Sequence, residues 1–113
     1  MGFLGVNFVK DQTPEMCLLA VKQNGLLLPF VKVQTPEICL TAVKQNGYAL
    51  EYVNEQSLAV GIAALKQNPE SRYYLTDKFR TPEVYKAAGY DYKPEDLAPK
   101  YRDTERGETL LSR

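Results

Sequence analysis

Residues 34–55 read QTPEICLTAVKQNGYALEYVNE, and the 22 residues before them, 12–33, read QTPEMCLLAVKQNGLLLPFVKV in unbroken register. A third copy, 56–77, reads QSLAVGIAALKQNPESRYYLTD; it keeps the length and the Lys66-Gln67-Asn68 triplet while drifting elsewhere. Self-similarity at a fixed period of this size marks a chain built from stacked supersecondary units. Upstream, Phe8-Val9-Lys10-Asp11 matches Phe30-Val31-Lys32-Val33, so the chain opens on the second half of a unit. Downstream, Thr81-Pro82-Glu83-Val84 restarts the motif two residues late and then leaves it.

Each full copy carries its own punctuation. Thr13 and Thr35 suit a helix N-cap, Pro14 and Pro36 the first helical position, and Glu15 and Glu37 the positive end of the helix dipole. About ten residues on, Asn24-Gly25 and Asn46-Gly47 predict a left-handed stop, because glycine reaches positive φ without a Cβ penalty. Between these signals, 16–21 and 38–43 are apolar almost throughout, which suits a short helix packed between neighbours. Position 19 and its equivalents, Leu19, Thr41 and Ala63, admit a polar residue. Apolar spacings of three and four after the glycine predict a second, shorter helix, starting near Leu27 so that Pro29 falls in its first turn. In the third copy Pro69 replaces the glycine, so Asn68 is expected to cap an incoming helix running towards Leu75, with a turn unlike the other two.

These signals give an all-α fold: a short α-solenoid of tandem 22-residue helix-turn-helix repeats with a divergent C-terminal cap. The array occupies 1–77, as a half repeat 1–11 and repeats 12–33, 34–55 and 56–77; a charged cap or tail occupies 78–113. In that last stretch 15 of 36 residues are charged, against 9 of the first 55. A period of 22 also fits leucine-rich repeats, but the L-x-L strand before the asparagine is missing, since Lys44 and Gln45 stand there.

The segments TPEICLTAVKQNGYALEYV and TPEMCLLAVKQNG resemble the tandem repeat known as domain of unknown function four-one-one-six, found as arrays in bacterial and viral proteins. The resemblance covers residues 3 to about 77 with a fragment near 81–88, and it rests on A-V-K-Q-N-G recurring twice intact at a fixed interval. The third copy departs by losing the Pro-Glu pair and the glycine. The resemblance implies a repeat and no activity.

Composition narrows the function classes. Fourteen basic residues balance fourteen acidic ones, so no long-range field gathers nucleic acid or anionic lipid. Histidine is absent, which removes the commonest general base and metal ligand. Cys17 and Cys39 hold equivalent places inside apolar runs and read as a buried reduced pair; two cysteines without histidine fall short of a structural zinc site. No apolar run reaches the ~18 residues that span a bilayer, and the N-terminus lacks a signal-peptide pattern, so a cytoplasmic protein is expected. No phosphate loop, metalloprotease signature or nucleophile elbow occurs, and no cofactor is expected.

Stacked copies place equivalent residues in rows. Lys22, Lys44 and Lys66 with Gln23, Gln45 and Gln67 form a candidate binding strip, or else serve only to wet the helix ends and oppose the helix dipole. Tyr90, Tyr92, Tyr101 and Arg102 are a second candidate contact set, against the plainer reading of the tail as a cover for the end of the array. Phe30, Tyr52 and Tyr74 form an aromatic row expected to pack against the next repeat. Glu95-Asp96 reads as surface charge without a partner. The expected function is non-catalytic interaction with another protein, with a second copy of the chain also open as partner. The alternatives are a small viral or bacterial inhibitor that occludes a host protein, and an enzyme built on converging Tyr, Glu and Lys side chains.

Overall fold

A computed structural model of the chain describes residues 10–102. Within them the protein is all-α, with no strand at 16–21 or 38–43 or anywhere else among the described residues. Three α-helices of ten residues begin 22 apart: α1 (Pro14–Gln23), α2 (Pro36–Gln45) and α3 (Leu58–Gln67). Each is followed by a six-residue 3-10 helix: η1 (Gly25–Phe30), η2 (Gly47–Tyr52) and η3 (Pro69–Tyr74). After a short 3-10 turn at Asp77–Phe79 come α4 (Pro82–Ala87), a further turn at Pro94–Asp96 and α5 (Pro99–Arg102). The opening half repeat, apart from Lys10 and Asp11, and the end of the tail from residue 103 lie outside the described residues.

The helix starts follow the sequence signals. The hydroxyls of Thr13, Thr35, Ser57 and Thr81 accept from the backbone N–H three residues on, at 3.1–3.3 Å, each fulfilling a donor that the first helical turn cannot pair internally. Such a cap stabilises by about 1 kcal/mol.

The helix stops work differently from the sequence expectation. No positive φ occurs at Gly25 or Gly47; among the described residues only Gly89 has one, at 74°. Instead the asparagine itself makes the corner in extended conformation, with φ and ψ of −152° and 103° at Asn24 and −153° and 112° at Asn46. Its N–H donates back to the carbonyl of Ala20 or Ala42, closing the α-helix, while its Oδ1 accepts from the N–H of Leu26 or Tyr48, opening the 3-10 helix. One residue thus caps two helices. The 3-10 segment therefore begins at Gly25 rather than near Leu27, and Pro29 lies inside it, where it forgoes a backbone hydrogen bond. The third corner also departs from expectation by being the same: Asn68 has −156° and 112°, donates to Ala64 and accepts from Glu70. Proline is compatible with this corner because the corner never needed a left-handed glycine.

Glycine is required for space. A methyl carbon built on Gly25 would overlap the carbonyl oxygen of Ala42 in α2, and one on Gly47 would lie 2.8 Å from the carbonyl oxygen of Ala64 in α3. The start of each 3-10 helix is pressed against the backbone of the following α-helix, and a Cβ would push the two apart. The core runs through this stack: Cys17, Val21 and Leu28 join Ile38, Val43 and Leu50, then Val60, Ala64 and Leu65, and finally Val84, Tyr85 and Leu97.

Gly47→Ala is therefore expected to lower unfolding stability by about 1–3 kcal/mol through overpacking, measured by urea denaturation. Alanine at Gly89, with nothing within 4 Å of its added carbon, meets only the left-handed backbone penalty of about 1 kcal/mol. Equal losses at the two positions would contradict the spatial account.

Candidate functional site: the interfaces and grooves of the helix stack

Glutamine organises the stack. Gln34 donates from Nε2 to the Tyr52 carbonyl at 2.8 Å and accepts at Oε1 from Asn54 N–H at 2.9 Å, tying the start of its unit to the end. Gln56 does the same with Tyr74 and Thr76 at 2.6 and 3.0 Å, and Gln12 with Phe30 and Lys32. The buried thiols of Cys17 and Cys39, both free, donate to the same glutamine oxygens at 3.4 and 3.3 Å.

Of the sequence-chosen strip, Gln45 and Gln67 have structural partners. Gln45 Oε1 accepts from Gly25 N–H at 2.6 Å and Gln67 Oε1 from Gly47 N–H at 2.5 Å, each reaching from one unit to the one before. These bonds explain the drift of the third copy: Pro69 has no N–H to offer, so η3 needs no glutamine from a following unit. Lys22, Lys44 and Lys66 stand exposed in the last turns of their helices, and none forms an ion pair among the described residues. Gln23 is exposed at the end of α1.

Lys44 and Lys66 flank an open groove of about 550 Å³ between α2 and α3. Leu40, Ala59, Ile62 and Ala63 make its apolar floor, and Gln67 completes the lining. Ala59, Ile62, Ala63 and Lys66 follow the i, i+3, i+4, i+7 spacing of one helix face. In the earlier units Glu15 and Glu37 stand where Ala59 does, and Leu19 and Thr41 where Ala63 does. Loss of the Pro-Glu pair in the third copy, which weakens the sequence pattern, is what removes a carboxylate from this groove.

The aromatic row lies on the other layer, that of the 3-10 helices, and is more open than the sequence suggests. Phe30 is 50% and Tyr52 36% exposed, while Tyr74 is half-buried and meets Tyr48 edge-on at 6.2 Å between ring centroids. The interior of this layer is filled by Leu28, Leu50 and Val31 instead, which leaves the rings at the surface.

The second candidate set turns inward. Tyr90 and Tyr92 are half-buried and pack on the fully buried Tyr85 ring at 5.3 and 5.5 Å. Tyr101 is half-buried against the core, and Arg102 ends the described chain in α5, its side chain outside the described residues.

Asp96, read from sequence as surface charge, is in fact buried and central. Its Oδ1 accepts from Arg72 Nε at 3.1 Å and its Oδ2 from Lys93 N–H at 2.9 Å. Its carbonyl accepts from Arg80 Nε at 3.0 Å and from the Tyr85 hydroxyl at 2.5 Å. Arg72 also lies over the Tyr73 and Tyr90 rings at 4.4 and 5.6 Å. The signal was present in the repeat alignment: Arg72 stands where Leu28 and Leu50 are fully buried, a substitution that a packed interface between units would not tolerate. Likewise Arg80 and Tyr85 stand at the glutamine and cysteine positions of the late-restarting motif and direct their bonds to the 95–96 carbonyls.

Among the described residues no three His, Cys, Asp or Glu side chains gather as a metal site. No helix of the described residues is long and apolar enough to cross a membrane.

Burial pushes the thiols of Cys17 and Cys39 up from their ordinary value of 9.0 and the Tyr85 phenol up from 10.0. Groups kept neutral in the fold bind their protons more tightly there than in the unfolded chain. Their contribution is complete below the unfolded values and is lost as pH rises through them towards the raised folded values. Unfolding stability is expected to fall above about pH 9, and Cys17→Ala/Cys39→Ala to shift the onset upward; pH-dependent urea melts measure this. Asp96→Ala, which strands Arg72, is expected to cost about 1–3 kcal/mol, and an unchanged urea midpoint would rule out the hub as a support.

Compared with curated proteins and with solved structures, the chain matches none. A family model does match, over residues 13–57, which take in α1, η1, α2 and η2. Over that segment the chain is similar to the family described as Domain of unknown function (DUF4116).

Proposed function

We propose that the chain is a short α-solenoid of 22-residue units and that it acts, without catalysis, by binding another protein. The solenoid reading is supported by the recurrence of the same caps, corners and inter-unit bonds at a 22-residue interval. The binding reading is carried by one observation: the α2–α3 groove has an apolar floor left open to solvent, flanked by Lys44 and Lys66. Stacked helical units bury their apolar surface against one another, so a groove that stays open is surface available to a partner. Gln67 at its edge is already engaged with Gly47, which leaves the floor and the two ammonium groups to make contact.

Ala63 is half-buried in the floor, so arginine there fills the groove without entering the core. Ala63→Arg is expected to abolish retention of whatever protein the unsubstituted chain captures from cell extract, with the melting temperature unchanged. Retention of the same protein in equal amount by the variant would remove the groove from the binding surface.

A further inference from the structure

We propose that the α2–α3 groove receives an amphipathic α-helical segment of a partner protein, its apolar stripe on Leu40, Ala59, Ile62 and Ala63 and a carboxylate held between Lys44 and Lys66. This rests on the protein-binding reading above and names the chemistry of the partner.

Charge comes first. The groove lining holds two lysines and no acidic residue. Neither lysine has an ion-pair partner among the described residues. Both stand one residue before the last of their helices, so neighbouring helices bring the two ammonium groups to the same end of the groove from opposite sides. They also stand in the last turns of their helices, where the negative end of the helix dipole favours a basic side chain. An anion entering between them meets two positive charges, and the opposite end of the groove, at Ala59, lacks the carboxylate that Glu15 and Glu37 supply in the other units.

Shape comes second. Packed helices lie about 8–10 Å apart, and the furrow between two of them is the natural bed for a third. From Ala59 to Lys66 is seven residues, or about 10 Å of α-helix, so the floor is two turns long. A partner helix of two turns matches it with apolar residues at i and i+3 or i+4, and its residue i+7 arrives level with the lysines. Two other modes of peptide recognition find no counterpart: strand addition needs a sheet edge, and no strand occurs among the described residues; polyproline recognition needs aromatic walls, and no ring lines this groove.

The test uses the full chain as bait against displayed peptides of about 18 residues, enough for several helical turns, in two sets, one helix-forming with apolar and charged positions varied, the other proline-rich. The expected result is enrichment of helical sequences with a carboxylate seven residues from an apolar anchor. Binding of the enriched peptide should fall at least about tenfold in Lys44→Glu/Lys66→Glu and return when the peptide carboxylate is changed to lysine. Both lysines are exposed, and a single cooperative melting transition confirms that the variant folds. Enrichment of basic, uncharged or proline-rich peptides that Ala63→Arg still blocks overturns the acidic-helix proposal and leaves the groove as the binding surface. Equal binding by the lysine double variant overturns it in the same way. If no enriched peptide is blocked by Ala63→Arg, the proposal and the groove reading fall together.

Discussion

The close approach of Gly47 to the backbone of α3, repeated by Gly25 on α2, is the constraint on which the remainder of the structure depends. Because nothing but hydrogen fits between the start of a 3-10 helix and the next α-helix, the two backbones come near enough for Gly47 N–H to reach Gln67 Oε1. The buried N–H is thereby paired rather than stranded, which avoids a cost of about 1–3 kcal/mol. The same approach brings the apolar faces of α1, α2 and α3 into one continuous core. Glycine, glutamine and asparagine in the KQNG block are thus parts of one joint: asparagine turns the chain, glycine admits the neighbour, and glutamine bonds across.

Where the stack meets the tail, Asn68 still turns the chain but the glycine and its cross-unit bond are gone. Pro69 removes the donor, Arg72 replaces a buried leucine, and Arg72 and Arg80 bond to the 95–96 segment. An arginine is acceptable there because Asp96 and the faces of Tyr73 and Tyr90 surround it, and because its stem covers apolar surface while its head stays paired. The third unit therefore departs from the sequence pattern because it packs differently on its two sides. Its α-helix still receives α2, while its 3-10 helix faces Asp96 and the tyrosines. The same departures that make it a poor copy clear a carboxylate from the α2–α3 groove.

Helix starts were legible because they are local: a hydroxyl that accepts from an N–H three residues on, a proline and an acid in the first turn are decided within one turn of chain. The helical character of 16–21 and 38–43 and the burial of the two cysteines were legible for a related reason, since periodicity reports which faces avoid water. The glycine was read as a left-handed stop because that is the local reason for Asn-Gly after a helix; the actual reason lies 17 residues away in another helix, at Ala42 for Gly25 and Ala64 for Gly47. Asp96 was misread for the same cause, its partner Arg72 being 24 residues upstream. Lys44 and Lys66 were marked from their row alone, but the open floor beside them was not.

The sequence by itself determined the period, the α-helical segments with their caps, and the absence of histidine chemistry, because these follow from residue identity and spacing along the chain. Only the tertiary structure decided what Gly25 and Gly47 are for, that Gln45 and Gln67 bond across units, that Asp96 is buried and that the α2–α3 groove stays open. Each of these depends on how close two distant backbones come, and that distance is set by the packing of the whole stack.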